Sequence, residues 1–133
     1  MHLIFCVDDD YGLSFCGRRL SRDREVYAHM LKISDGHTLW VAPDSTGLFP
    51  EGTVSVDADF ILNASSGDYC FSEVPISMDS VNHVESVILY HWNRRYPSTE
   101  KLSPELLTGM RLIHTEAFKG SSHEKITMER YTL

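Results

Sequence analysis

Two uninterrupted apolar runs constrain this chain most, because both have the length of a strand rather than of a helix. Leu3 to Val7 is the first run, and Ser86 to Trp92 gives the strongest strand signal in the sequence. Apolar residues without polar alternation are typical of a strand that is covered on both faces. The sequence therefore predicts that Leu3 to Val7 is a central buried strand, which opens directly into the acidic turn Asp8-Asp9-Asp10.

Weaker patterns add a helix and further strands. Over Ser21 to Ile33, Ser21 as the N-cap, acidic residues in the first turn and an apolar stripe predict a helix. Strands are predicted over 38–42, 53–56 and 69–71, a loop or short helical turn over 44–50, and one helical turn over 103–107. The interval 57–80 as a whole can be strand or loop.

The end of the chain alternates between apolar and polar residues. Residues 112–118 and 124–131 carry this alternation, and Lys119-Gly120-Ser121-Ser122 lies between them. The pattern predicts a C-terminal antiparallel hairpin. With strand, helix and strand first and antiparallel strands last, we expect an α/β (α+β) domain over 1–133, with a mixed β-sheet and few helices.

Composition narrows the classes of function. The 133 residues carry 12 Lys and Arg against 19 Asp and Glu, a net charge of −7, which disfavours nucleic-acid binding. No apolar run reaches the roughly 18 residues of a membrane span, and no signal peptide is recognisable, so we expect a cytoplasmic protein without membrane contact. Three cysteines without a CxxC pair argue against structural zinc and predict free, mostly buried thiols.

The order of the motifs resembles dihydrofolate reductase. The first strand ends in Phe5-Cys6-Val7-Asp8, a loop with Gly12-Leu13 follows, and Ser21-Arg22-Asp23 opens the helix. Val41 to Thr46 is similar to the strand and cofactor-binding turn of that family, and the late strand and hairpin are similar to its C-terminal part. The resemblance implies a dihydrofolate-reductase-like fold and a ligand cleft between Asp23, the 12–19 loop and the 39–42 strand.

Two parts of the family's nicotinamide site differ in this chain. Ser65-Ser66-Gly67-Asp68-Tyr69 is nearest to the Gly-Gly turn that cradles the pyrophosphate, and Pro43 replaces a cofactor-binding arginine. The resemblance therefore implies a ligand-binding or interaction module that lacks a complete nicotinamide site. A reductase that acts on a pterin-like molecule with NADPH is the alternative.

Three further segments are similar to short bacterial proteins that go under the name ribonuclease Z. These segments are Val7-Asp8-Asp9, Trp92 to Pro97 and Ser122 to Thr127. The enzyme of that name holds two zinc ions with a His-x-His-x-Asp-His motif. No two of the seven histidines here lie within five residues of each other, so the name does not fit the chemistry of this chain.

Asp23 is the candidate catalytic residue. A carboxylate at the start of a helix can hold a pterin-like ring or relay a proton, and the alternative is that it only complements the helix dipole. The ligand-binding candidates flank the implied cleft or supply cations and aromatic rings: Asp8, Gly12, Arg18, Arg19, Trp40, Ser45, Trp92, Arg94 and Arg95. If Asp23 contacts the ligand, Asp23→Asn is expected to abolish binding and to leave stability nearly unchanged or slightly raised.

The cations suggest the kind of ligand. Arginines cluster over 18–24 and again at 94–95, and their guanidinium groups match a phosphate or carboxylate. We therefore expect a small anionic or pterin-like ligand. The segment Trp92 to Pro97 is the predicted contact for an acidic protein partner or a second copy of the chain.

Two weaker hypotheses stay open. Asp8, Asp9 and Asp10 can hold Mg²⁺ in a metal-dependent hydrolase, although a solvated turn is the favoured interpretation. His123 beside Glu124 can be a base that a carboxylate orients, but without a recognisable nucleophile a surface histidine is favoured. We assign no metal ligands.

Overall fold

The computed structural model describes residues 1–77, 81 and 83–133. Its strands are β1 (His2–Val7), β2 (Gly12–Phe15), β3 (Arg18–Arg19), β4 (Leu39–Val41), β5 (Ser55–Val56), β6 (Tyr69–Phe71), β7 (Ser86–His91), β8 (Glu100–Lys101), β9 (Arg111–Phe118) and β10 (Ile126–Thr132). The α-helices are α1 (Arg24–Ile33) and α2 (Phe60–Asn63), and 3₁₀ helices span Pro43–Leu48 and Pro104–Leu107. Residues 78–80, part of the interval that the sequence leaves open, lie outside the described residues.

The main sheet has the strand order β5-β4-β6-β1-β7-β10-β9. The strands from β5 to β7 run parallel to their neighbours, and β10 runs antiparallel to both β7 and β9. This arrangement confirms the predicted mixed sheet and the C-terminal antiparallel pair. β1 lies between β6 and β7, as its apolar run predicts.

The sheet is covered on both faces, which explains the apolar run in β1. Ile4 and Cys6 point to the side of α1, where Val26, Tyr27 and Met30 pack against the sheet. The alternate side chains of β1 point to the opposite face, where α2 and the 104–107 helix cover the sheet with Phe60 and Leu106. Each face of β1 therefore buries apolar side chains, which explains the uninterrupted apolar run from Leu3 to Val7.

The start of α1 differs from the prediction. The helix begins at Arg24, and its N-cap is Asp23 rather than Ser21. The Asp23 backbone is extended, and its Oδ1 accepts a hydrogen bond from the Glu25 amide at 2.9 Å. Aspartate and serine are about equally good N-caps, so the two candidates could not be separated on residue type.

A small sheet with the strand order β3-β2-β8 was not predicted. β3 and β8 have two residues each, too few for a period-2 pattern to be visible. This sheet joins the 12–19 loop to the segment after β7 by hydrogen bonds.

The three cysteines are free thiols. Cys6 and Cys70 are buried, and Cys16 is exposed. Among the described residues, no helix is long and apolar enough to cross a membrane.

Candidate functional site

Asp23 is a buried carboxylate that is held by many donors. It is 1% exposed. Its Oδ1 accepts from the Glu25 amide at 2.9 Å and from the amide and hydroxyl of Ser121 at 2.8 and 3.0 Å. Its Oδ2 accepts from the Ser122 amide at 2.9 Å and from His123 Nδ1 at 2.8 Å. Burial raises the pKa of Asp23, but the bonds from Ser121, Ser122 and His123 outweigh it and hold this pKa well below its usual range, so the group is an anion.

His123 is the hydrogen-bond partner of Asp23 that can act as a base. Because an ionised carboxylate only accepts hydrogen bonds, Nδ1 of His123 carries the proton in the 2.8 Å bond to Asp23. In the neutral ring Nε2 then has a free lone pair. The hydroxyl of Ser21 lies 3.0 Å from Nε2, and that of Tyr96 lies 3.3 Å away. This is the tautomer of a general base.

The imidazole of His123 is also fixed from the side. Its ring stacks on Trp92, with 4.8 Å between the centroids and 24° between the planes. His123 is 4% exposed and Trp92 is 3% exposed. The prediction of a surface histidine was therefore wrong. Trp92 is not available as a surface contact, because it packs in the core and against His123.

The hairpin between β9 and β10 brings His123 to the start of α1. The Gly120 amide donates to the His123 carbonyl at 3.0 Å and closes a tight turn over the carboxylate of Asp23. A Cβ at position 120 would lie 2.3 Å from Asp23 Oδ2, which is closer than any real contact. Glycine is therefore required here for the approach of the turn, and the sequence pattern of the hairpin alone does not reveal it.

A second polar cluster lies between the 12–19 loop and the 43–48 helix. Arg19 donates to both carboxylate oxygens of Glu73, at 2.8 and 3.0 Å, and to the Asp44 carbonyl at 2.9 Å. The hydroxyl of Ser45 donates to Glu73 at 2.7 Å. Two predicted ligand residues, Arg19 and Ser45, thus meet around an acid that sequence reasoning missed. Glu73 is an isolated acidic residue after β6, with no motif around it.

A surface cleft lies beside Asp23, at the start of α1. Its volume is about 370 Å³. The residues that line it are Arg22, Asp23, Arg24, Tyr27, Gly47, Leu48, Ser121 and Ser122. Ligand sites commonly have volumes of about 300–1,000 Å³, so the cleft has room for a small molecule.

A smaller pocket lies beside Ser21. The residues that line it are Cys6, Leu13, Arg19, Leu20, Ser21, Tyr27, Phe71, Ser72, Glu73 and Trp92. Its open volume is about 10 Å³, the space of roughly one water molecule. Leu13 and Arg19 of the 12–19 loop line this pocket, and its open space is too small for a ring-sized ligand.

The acidic turn after β1 separates its three aspartates. Asp8 is 1% exposed, and its carboxylate accepts from the amides of Asp10, Gly12 and Tyr96 at 2.9, 2.6 and 3.0 Å. Asp9 and Asp10 point to the surface, and Asp10 lies 3.4 Å from Arg95. Within residues 1–77, 81 and 83–133, no group of three His, Cys, Asp or Glu side chains is placed to hold a metal ion.

Gly12 is a structural neighbour of Asp8. A Cβ on Gly12 would lie 2.7 Å from Ser98 and 2.9 Å from Asp8 Oδ1. Both residues hold the loop in place. Both are buried, and neither lines the cleft beside Asp23.

The remaining candidates divide between this site and other surfaces. Arg94 donates to the Ser122 carbonyl at 3.1 Å and therefore joins the site. Trp40 does not join it, because it packs on the opposite face of the sheet and donates to Asp68 at 3.1 Å. Arg18 is exposed on β3, and Arg95 is 73% exposed.

Comparison with known proteins supports the fold but not a family. No protein-family model matches the chain, and no curated protein matches its sequence. A solved dihydrofolate reductase from Enterococcus faecalis, complexed with NADP(H) and RAB-propyl, is similar in structure with a TM-score of 0.64. The match covers 98% of this chain and 94% of that chain at 9% identity. The chain therefore has a dihydrofolate-reductase-like fold.

Proposed function

We propose that this chain binds a small anionic molecule in the cleft between the start of α1, the 43–48 helix and the turn at Gly120. The proposal rests on a cleft of about 370 Å³ that two arginines line, although the chain as a whole has a net charge of −7. Cations gathered at one cleft of an acidic protein favour a phosphate or carboxylate there.

The positive charge of the cleft comes from side chains rather than from helix amides. The amides of Arg24 and Glu25 donate to Ser121 Oγ and Asp23 Oδ1, and those of Val26 and Tyr27 donate to the Asp23 carbonyl. These first amides of α1 are thus occupied. Recognition of an anion therefore falls to the guanidinium groups of Arg22 and Arg24, which are both exposed.

Arg19 and Arg94 are bonded to other groups of the protein. Glu73 pairs with the guanidinium of Arg19, and the Ser122 carbonyl accepts from Arg94. Arg94 stabilises the turn that carries Ser121 and Ser122, and their hydroxyls face Asp23. A ligand in the cleft would meet Arg22 and Arg24 first and these hydroxyls at its base.

Reduction of a pterin-like molecule with NADPH is the alternative, because the E. faecalis protein of the same fold is a reductase complexed with NADP(H). Two observations weigh against it. The Asp23 oxygens already accept from six donors, which leaves no position for paired hydrogen bonds to a ring. The pocket beside Ser21 has about 10 Å³ of open space, far less than a nicotinamide or pterin ring needs. Contact with a protein partner or a second copy stays a prediction.

The experiment is titration calorimetry with inorganic pyrophosphate and, separately, with citrate as a carboxylate probe. We expect binding of at least one probe, with an affinity that falls as salt rises, because exposed charges are screened. The double variant Arg22→Gln/Arg24→Gln should lose it. The matched control is Arg111→Gln/Lys101→Gln, which removes two exposed cations on β9 and β8 and should bind like the wild type.

Two outcomes would overturn the proposal. One is that neither probe binds at low salt. The other is that the control double variant loses affinity as much as the cleft variant, because binding would then reflect net charge rather than this cleft.

A further inference from the structure

The chain of contacts from Ser21 through His123 to Asp23 has the connectivity of a nucleophilic triad. Ser21 Oγ lies 3.0 Å from His123 Nε2, and His123 Nδ1 lies 2.8 Å from Asp23 Oδ2. Both distances fall within the range in which a base reaches its nucleophile and is oriented by a third group. A triad is recognised by this geometry and these roles, not by the fold or the order along the chain.

We propose that Ser21 is an acyl-accepting nucleophile, that His123 is its general base, and that Asp23 positions and stabilises His123. This activity goes beyond the binding of an anion and does not depend on it, because Arg22 and Arg24 take no part in the triad.

The burial of each of the three residues is consistent with its proposed role in the triad. Asp23 and His123 are 1% and 4% exposed, so the pair is fixed in a site that excludes water. Ser21 is partly exposed, so a substrate can reach its hydroxyl. Trp92 stacks on the imidazole and prevents it from turning away from Ser21. Tyr96 presents a second hydroxyl to Nε2 at 3.3 Å, but the hydroxyl of Ser21 is nearer.

The proposed reaction is the hydrolysis of an ester in two steps, acylation of Ser21 and its deacylation by water. Ser21 Oγ attacks the carbonyl carbon while its proton moves to His123 Nε2. The bond between the carbonyl carbon and the alcohol oxygen then breaks, and the alcohol leaves with that proton. Water attacks the acyl-serine, gives a proton to Nε2, and releases the acid as Ser21 recovers its hydrogen.

The pocket beside Ser21 sets the size of the acyl group. Leu13, Leu20 and Trp92 are among the residues that line it, and its open volume is about 10 Å³. This space accepts one group of the size of water or methyl. We therefore expect acetyl esters as the substrate class, with the alcohol part on the open side of Ser21.

The test combines a covalent probe with a rate. A fluorophosphonate should modify the wild-type protein once, and peptide mass spectrometry should place the adduct on Ser21. Hydrolysis of p-nitrophenyl acetate should fall at least about a hundredfold in Ser21→Ala. The octanoate ester should be hydrolysed at least about tenfold more slowly than the acetate. The control is Ser66→Ala, an exposed serine before β6, at the opposite end of the parallel strands.

The labelling of the wild type is independent of whether any variant folds. An absent adduct, an adduct on another residue, or equal hydrolysis by the wild type and a folded Ser21→Ala would overturn the proposal. Calorimetry with pyrophosphate measures the arginine cleft separately, so failure of the triad and failure of anion binding can be told apart.

Discussion

His123 Nδ1 and Asp23 Oδ2 are 2.8 Å apart, although 100 residues separate them in the sequence. The contact joins the C-terminal hairpin to the first turn of α1. The same carboxylate caps the helix and accepts the amides of Ser121 and Ser122. Asp23 therefore stabilises two distant parts of the fold, and it also fixes the tautomer of the histidine.

Replacement of Asp23 by asparagine should lower stability. The asparagine side chain has one accepting oxygen, where the carboxylate has two. Its NH₂ group would face hydrogen-bond donors that the wild-type carboxylate satisfies. Breaking hydrogen bonds to a buried charge typically costs about 1.5–3 kcal/mol, and we expect about 3 kcal/mol here because several donors lose the acceptor. Urea unfolding measures the change. Asp9→Asn, at an exposed aspartate of the turn after β1, should stay within about 0.5 kcal/mol.

This prediction reverses the expectation from sequence that Asp23→Asn spares stability. That expectation assumed a carboxylate that faces a ligand. If the variant unfolds at the same urea concentration as the wild type, the network around Asp23 is not stabilising.

Gly120→Ala should destabilise the hairpin. The added Cβ would lie 2.3 Å from Asp23 Oδ2, so the turn must move away from the carboxylate. Forced overpacking of this kind costs about 1–3 kcal/mol. Gly47→Ala is the matched control, since nothing lies within 4 Å of a Cβ there and its φ is not positive. Thermal melting of both variants checks the pair, and a Gly120→Ala protein as stable as Gly47→Ala would contradict the placement of the turn.

His29 should make stability depend on pH. Burial lowers its pKa below 6.5, and Glu116, with Oε2 3.2 Å from Nε2, only partly offsets this. Since the folded pKa is the lower one, the unfolded chain takes up protons first as the pH falls. The free energy of unfolding should therefore decrease as the pH drops through about 6.5.

Urea unfolding at several pH values between about 8 and 5 measures this slope. His29→Gln should flatten it, whatever its effect on stability at a single pH. His37→Gln, at an exposed histidine, should retain the slope of the wild type. A slope unchanged by His29→Gln would assign the pH dependence to other groups.

The chain should not oxidise NADPH with dihydrofolate as the acceptor. The pocket beside Ser21 has about 10 Å³ of open space, far less than a nicotinamide or pterin ring needs. The absorbance of NADPH, followed with and without the chain, checks this directly. A rate that depends on the chain and on dihydrofolate would establish the reductase instead of the binding protein.

Much of the fold could be predicted because it depends on local patterns. β1, β7, α1 and the hairpin of β9 and β10 have clear apolar periods or runs. The cap of α1 was assigned to Ser21 because serine and aspartate are similar caps in isolation. In the folded chain, Asp23 caps the helix and also accepts the amides of Ser121 and Ser122, which are distant in sequence.

The site was harder to predict because its contacts are long-range. Asp23 was recognised as a candidate, but His123 was interpreted as a surface residue because no recognisable spacing links it to a nucleophile in the sequence. Ser21 lies 102 residues away and meets it only after the hairpin packs on α1. Glu73 was missed for the same reason, since Arg19 lies 54 residues from it.

The most direct test of this account is the protonation of the His123 ring, observed by long-range ¹H–¹⁵N correlation in protein with ¹⁵N-labelled histidine. We expect a proton on Nδ1, because Asp23 is an anion that only accepts, and an unprotonated Nε2 when the ring is neutral. Asp23→Asn should shift the signals. A proton on Nε2 of the neutral ring in the wild type would contradict both the role of Asp23 and a base that faces Ser21.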